Sequence, residues 1–179
     1  NAATYSGGTA SDFATLLTSE TRGLISGGIT GQALTVDSGT IAVSAVNDLN
    51  ATTTGVVTAT ITEGDMSTLA SLTDQTGSPG TDNAYTVTIT DTSVAASALN
   101  TLAGKTSVAV TGSAITTLTG TISDVNTAYA NTSGITGLGN EAVTISDTTN
   151  SGNGVAIAEL NTLDAVSYTH LRAHETSAD

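Results

Sequence analysis

Two hydrophobic periods alternate along this chain. Over 85–90 and 142–146, apolar residues alternate with polar ones, which predicts short β-strands with one buried face. Around Phe13 and Leu16, and again over 94–102, the apolar positions fall at roughly helical spacing, which predicts short helices. Short strands that alternate with short helices favour parallel strands joined by helical crossovers.

Three sequence motifs recur in the same order. One is Thr-x-x-Asp followed by an apolar residue, the second is an apolar-Thr-apolar strand core, and the third is apolar-Asn-x-Leu. The motifs begin at Thr9, Thr62 and Thr121, at Leu34, Val87 and Val143, and at Val46, Leu99 and Leu160. Because each motif returns after 53 to 61 residues, we interpret the chain as a repeat protein. The predicted units are a partial repeat over 1–32, repeats over 33–83 and 84–140, and a partial repeat over 141–165.

Each repeat can be divided into two strand–helix half-units. With a fixed period, such units predict an α/β fold, namely a repetitive solenoid of short parallel strands and short helices. Threonine suits this arrangement because its branched side chain favours strands and its hydroxyl group caps helices. The alternative is a β-rich repeat stack in which the helical segments are loops. Glycines such as Gly112, Gly120 and Gly134 keep that alternative open.

The Thr-x-x-Asp motif is typical of a capping box at a helix N-terminus. In such a box the threonine hydroxyl accepts from the backbone three residues on, and the acid reaches back to the threonine. We therefore expect Asp12, Asp65 and Asp124 to be capping residues in three boxes. Asp91 and Asp147 each precede a threonine at a strand-to-helix boundary, where we expect a helix start or an Asx-turn.

Recurring asparagines and two tyrosines have structural interpretations. Asn47, Asn100 and Asn161 follow an apolar helix position in each repeat and predict a ladder of side-chain amides between repeats. Tyr85 and Tyr129 are expected at the partly buried rim of the core.

The composition narrows the range of functions. Threonine supplies 38 residues and aromatic residues only 3%, so the core must be built from Val, Ile, Leu and Ala. The 16 acidic residues against 3 Lys and Arg give a net charge of −13, which disfavours nucleic acid and anionic lipid as partners. No stretch approaches the ~20 apolar residues of a membrane span, which speaks against membrane insertion. Without cysteine the chain forms no disulfide or thiolate metal site.

The segment 166–179 is predicted to be a non-native tail. It contains both histidines of the chain, His170 and His174, and it resembles one reading frame of a sequencing adapter. Without this tail the chain offers no histidine, and Lys105 is its single lysine, expected on the solvated surface. Nucleophilic catalysis needs a base next to the nucleophile. The sequence therefore predicts no enzyme and no catalytic or cofactor-binding residues.

Acidic and amide side chains are the remaining groups that could bind a ligand. Asp147, Asn150, Asn153 and Glu159 surround a loop that has no counterpart in the other repeats, and they form the densest oxygen-rich cluster of the sequence. Calcium prefers about six or more oxygen ligands, so these four residues are the candidate calcium ligands. A calcium- or glycan-binding module of an extracellular protein is therefore the alternative function.

Several strings resemble repeats of giant, Thr-rich surface proteins. Among them are Ala-Leu-Asn-Thr-Leu at 98–102 and Ser-Gly-Ile-Thr-Gly-Leu-Gly-Asn-Glu-Ala-Val-Thr-Ile-Ser-Asp at 133–147. The likeness covers 84–165 well and 1–83 more loosely. Such repeats occur in marine cyanobacteria and other Gram-negative bacteria, in proteins described as hemolysin-like or adhesin-like. The resemblance implies an extracellular or cell-surface location and a spacer, surface-layer or adhesive role. It implies neighbouring repeats, and the cell surface or glycans, as partners.

Overall fold

The computed structural model describes residues 4–21, 31–74, 83–139 and 141–147. Within these ranges short strands alternate with short helices. The strands are β1 (Thr4–Gly8), β2 (Ala33–Val36), β3 (Val57–Thr60), β4 (Ala84–Thr86), β5 (Ser93–Ala95), β6 (Val110–Thr111), β7 (Thr117–Gly120), β8 (Ile135–Thr136) and β9 (Ala142–Ile145). The helices are α1 (Ala10–Thr21), α2 (Val43–Thr52), α3 (Met66–Leu69), α4 (Ala96–Ala103) and α5 (Ile122–Ala130). We call each helix, with the strands that precede it, a strand–helix unit.

The strands pair in parallel throughout the described ranges. One sheet has the order β1-β2-β3-β4, a second has the order β5-β7-β9, and a third joins β6 to β8. Each strand pairs with strands of the neighbouring units: Thr117 of β7 pairs with Ser93 of β5 and with Ala142 of β9. A bridge between Thr88 and Thr111 connects the segment after β4 to β6. The predicted α/β class with parallel strands is confirmed.

Alternation along the strands places one row of side chains in the core. In the first sheet Leu34 pairs with Val57, and Ala59 pairs with Tyr85, and all four residues are buried. Leu118 in β7 is equally buried. Since successive side chains of a strand point to opposite faces, the period of two in the sequence fixes which residues pack inside. The core is formed mainly by aliphatic residues, as the composition predicts, with Phe13 and Tyr85 also buried in it.

The helices cover the core with one apolar face each. In α2 this face includes Val46 and Leu49, and in α5 it includes Val125 and Ala128, all of them buried. Helix α4 lies next to α5, so helices of consecutive units pack against each other as well as against the strands. No helix in the described part of the chain combines the length and the apolar character needed to cross a bilayer.

Three predicted elements differ from their patterns. The helix predicted over 94–102 begins at Ala96, because Ser93–Ala95 form β5. The strand predicted over 85–90 contains β4 only to Thr86, followed by the isolated bridge at Thr88. The apolar spacing from Met66 to Leu72 predicts a helix, but α3 ends at Leu69, and Leu72 is buried beyond the helix end. The repeat boundaries stay a prediction, because the segments after residue 147 lie outside the described residues.

Gly55 lies where two backbone segments approach closely. A Cβ atom there would overlap the backbone of Gln32 and Ala33 at the start of β2. We expect Gly55→Ala to lower the free energy of unfolding by about 1–3 kcal/mol, because overpacking forces backbone shifts of that energy. Chemical denaturation followed by circular dichroism measures the change.

Gly104→Ala is the matched control. Gly104 has a φ of −76°, and a Cβ atom there would meet its nearest neighbours at 3.5 and 3.7 Å, which are ordinary van der Waals distances. We expect this substitution to leave stability unchanged or slightly raised. Equal losses from both substitutions would contradict the close approach at Gly55.

Candidate functional site

Three carboxylates connect successive strand–helix units at helix N-termini. In each case the acid belongs to one unit and accepts a hydrogen bond from the first helical residue of the preceding unit, 20 or 25 positions earlier. The three bonds are Val43 N to Glu63 Oε2 (3.0 Å), Met66 N to Asp91 Oδ2 (2.8 Å) and Ile122 N to Asp147 Oδ2 (2.6 Å). The first N–H groups of a helix lack partners within it, and a carboxylate there also interacts favourably with the helix dipole.

Asp12 forms the predicted capping box with Thr9. Its Oδ2 accepts from the backbone N and from Oγ1 of Thr9, each at 2.7 Å, and its own N donates to Thr9 Oγ1 at 3.3 Å. The backbone N–H of Thr9, followed by its hydroxyl group, stabilises the charged carboxylate and lowers the pKa of Asp12. The prediction at α1 is confirmed.

Asp124 also takes part in a helix cap. Thr121 is the N-cap of α5, and its Oγ1 accepts from Asp124 N at 3.1 Å and donates to Asp124 Oδ2 at 2.8 Å. The capping role predicted for this pair is confirmed.

The capping box predicted at Thr62 is wrong. Helix α3 begins at Met66, so Asp65 itself is the N-cap, and its Oδ1 accepts from Thr68 N at 2.8 Å. The hydroxyl group of Thr62 instead donates to Thr40 Oγ1 at 2.8 Å. The Ser67 hydroxyl, and after it the Thr68 backbone N–H, lower the pKa of Asp65.

The helix start predicted at Asp91 is also wrong. Helix α4 begins at Ala96, and its N-cap Ala95 has no side-chain cap. The Asp91 carboxylate caps α3 of the preceding unit, because the parallel arrangement brings the segment after β4 next to that helix N-terminus. Asp147 acts in the same way on α5. The chain after Asp147, where its own helix was predicted, lies outside the described residues.

The candidate calcium ligands are only partly described. Asp147 is exposed, and its Oδ2 is engaged with Ile122 N. Asn150, Asn153 and Glu159 lie outside the described residues. Among the residues that are described, no group of three or more His, Cys, Asp or Glu side chains is placed to hold a metal ion. The calcium site therefore stays a prediction.

The amide ladder predicted for the recurring asparagines is wrong for the two described members. Asn47 Nδ2 donates to Ser71 O at 2.8 Å, and Asn100 Nδ2 donates to Asp124 O at 2.9 Å. Each side chain thus binds the backbone of the next unit instead of another asparagine. The backbone offers a regularly placed acceptor there, which a side-chain amide can reach without a partner asparagine. Asn161 lies outside the described residues.

The two tyrosines are buried, and the rim position predicted for Tyr85 is wrong. Tyr85 is fully buried in the core, and this burial, with a smaller effect of the Asp74 charge, raises its pKa. The hydroxyl group of Tyr129 donates to Glu141 Oε2 at 2.9 Å, and burial and Glu141 together raise the pKa of Tyr129. Gly139 N donates to both carboxylate oxygens of Glu141, which is itself buried.

Several polar residues of the interior were not found from the sequence. Asn83 is fully buried, and it accepts from Val57 N and donates to Asn50 Oδ1, both at 2.8 Å. The Thr106 hydroxyl accepts from Tyr85 N at 2.8 Å and donates to Tyr85 O at 2.9 Å. The hydrogen bonds of these residues connect neighbouring strands. In the sequence, however, the residues belong to no hydrophobic period or repeated motif.

Lys105 and one polar cleft of the described surface are also engaged in contacts within the chain. Lys105 was expected on the solvated surface, but it is partly buried and its Nζ donates to Ala70 O at 2.8 Å, next to the end of α3. A cleft of about 380 Å³ is lined by polar residues that include Asn47 and Asn50. Both side chains already bind protein groups of the following unit, so the lining is engaged in holding units together.

No family model, no curated protein and no solved structure matches this chain. The contacts between neighbouring strand–helix units are then the feature that bears on function.

The inter-unit cap at α3 can be tested by removing its acceptor. We expect Asp91→Ala to lower the free energy of unfolding by about 1 kcal/mol, the usual loss when a capping acceptor is deleted. Asp91→Asn keeps an acceptor oxygen and should lose less. Urea denaturation of both variants measures the difference. Asp48→Ala, at an exposed position of α2, is the control and should be neutral or slightly stabilising. A loss at Asp48 as large as that at Asp91 would refute the role of the cap.

The lowered pKa of Asp65 predicts acid sensitivity. Because its pKa is lower in the folded chain, the unfolded chain binds more protons near the ordinary aspartate value of about 3.9. The stabilisation is therefore present at neutral pH and is lost as the pH falls through the lowered pKa. We expect the urea midpoint to drop between about pH 5 and about pH 2, and Asp65→Asn to reduce that drop. Asp48→Asn is the control and should show the same drop as the parent chain. An equal drop in Asp65→Asn and in the parent chain would contradict the assignment of this acid sensitivity to Asp65.

Proposed function

We propose that this chain is a structural repeat segment of a large secreted bacterial surface protein, acting as an extended spacer or surface-layer element without catalysis. In this proposal the strand–helix units continue in one direction as an α/β solenoid, and each unit is stabilised mainly by its neighbours.

The observation that carries the proposal is the carboxylate cap between consecutive units. Glu63, Asp91 and Asp147 each complete a helix that belongs to the unit before their own. The same kind of contact recurs at the N-termini of α2, α3 and α5, whereas α4 has no side-chain cap at its N-cap Ala95. A stack of similar units favours such recurrence, because its junctions resemble one another, whereas a compact globule has no need for it.

Backbone and side-chain contacts support the same arrangement. Thr116 Oγ1 donates to Thr92 O across 24 residues, and Asn100 Nδ2 donates to Asp124 O, also across 24 residues. The strands β5, β7 and β9 pair in the order in which they occur in the chain. Such contacts join nearest neighbours, which is the pattern that gives a repeat protein its one-dimensional stability.

Surface chemistry supports a spacer. The net charge of −13 keeps copies of the chain apart and hydrated, and threonine hydroxyl groups add uncharged polarity. A spacer needs length, solubility and resistance to collapse, and none of these requires a reactive centre. The surface location and the adhesive aspect of the proposal rest on the resemblance of the repeats to adhesin-like proteins.

Repeat insertion tests the proposal. A second copy of 84–140 placed after residue 140 adds two strand–helix units, and strands in a sheet lie about 4.8 Å apart. We expect small-angle X-ray scattering to show a maximum dimension that grows by about 10 Å per inserted copy, at a constant cross-section.

A Gly-Ser insert of the same length is the control. Because such an insert forms no strands or helices, it should not lengthen the folded part of the chain. Growth of the cross-section with each inserted repeat would mean that the units close into a globule and would refute the spacer proposal.

A further inference from the structure

The strand pairs described above expose a face made of threonine. Val57, Ala59, Tyr85 and Val87 are buried, so the residues between them point outward. We call the outward threonines of this surface the threonine face. Its members are Thr58, Thr60, Thr86, Thr88, Thr111 and Thr136.

The threonines of this face stand in register from strand to strand. Thr60 pairs with Thr86, Thr88 pairs with Thr111, and Thr111 pairs with Thr136. Neighbouring strands lie about 4.8 Å apart, and alternate residues along one strand lie about 6.6 Å apart. Methyl and hydroxyl groups therefore repeat in two directions across the surface.

The six residues of the threonine face carry no charge although the chain is strongly acidic, and the exposed Asp37 lies beyond the end of the neighbouring strand β2. Exposed positions are where Lys, Glu, Arg and Asp usually occur. The acids with described contacts lie at helix N-termini, as Asp12, Glu63 and Asp91 do, or in the interior, as Glu141 does. A neutral face on a chain of net charge −13 complements a neutral partner and not a charged one.

We propose that the threonine face binds the surface of ice. Ice is neutral, repeats in two directions, and consists of hydrogen-bond donors and acceptors that a hydroxyl group can join. The methyl groups between the hydroxyl groups form no hydrogen bonds with water. Water molecules at this face therefore have few favourable orientations, which favours an ordered water layer. A crystalline polysaccharide fits less well, because sugar recognition uses exposed aromatic rings, and Tyr85 and Tyr129 are buried.

This activity depends on strand register alone and not on the chain being an extended spacer. A failure of ice binding therefore leaves the spacer proposal standing, and growth of the cross-section on repeat insertion leaves ice binding standing.

Freezing measurements on the full chain test the proposal. We expect the chain to open a gap between the melting and freezing temperatures of an ice crystal and to slow recrystallisation of ice. Thr86→Lys and Thr88→Lys each place a charge in the centre of the face and should remove most of that gap. Thr60→Lys provides a third position should one of these variants fold poorly, which circular dichroism checks.

Ser97→Lys is the matched control, since it adds the same charge at an exposed position of α4. It should keep the full activity. Absence of any gap in the parent chain would overturn the proposal, and so would an equal loss in Ser97→Lys. Sedimentation that shows a dimer broken by Thr86→Lys, without ice activity, would instead assign the face to contact between copies and overturn ice binding.

Discussion

The fold depends on parallel register between neighbouring strand–helix units. When Thr117 of β7 pairs with Ser93 of β5, the helices that follow these two strands, α4 and α5, are brought side by side, and the pairing of Thr117 with Ala142 brings Asp147 to the N-terminus of α5. The acid caps, the asparagine contacts and the buried polar pairs all follow from that placement. A shift of one residue would turn the buried row outward and separate every cap from its helix. Both the burial of the core side chains and the helix caps therefore fix the strand register.

Much of this architecture could be predicted from the sequence. The period-two alternation around Tyr85 and the helical spacing around Leu99 predict the class of fold, and the capping box at Thr9 predicts where α1 begins. Such features depend on residues close together in the chain, so local pattern is sufficient. The buried row and the aliphatic core follow from the same local information.

The identity of polar partners could not be predicted, because it depends on which units become neighbours. Asp91 precedes one helix in sequence but caps another, and Asn100 binds backbone where an amide ladder was expected. After Thr62 the sequence offers two capping residues, and the helix begins after the second, Asp65, with Leu69 and Leu72 buried. Asn83 and Glu141 carry no repeated signature, since each is buried by a particular local geometry. The proposed ice surface depends on cross-strand register in the same way.

The caps give the succession of strand–helix units a direction. Every described inter-unit carboxylate belongs to the later unit and serves the earlier helix. Peeling away a unit from the C-terminal side therefore removes both apolar contacts and the acceptor that completes the helix now left at the end. Peeling from the N-terminal side removes contacts but leaves the next helix with its acceptor. In the proposed solenoid, loss of a C-terminal unit would therefore leave an uncapped helix at that end, whereas loss of an N-terminal unit would leave a carboxylate without its helix, so the two ends would not be equivalent under tension.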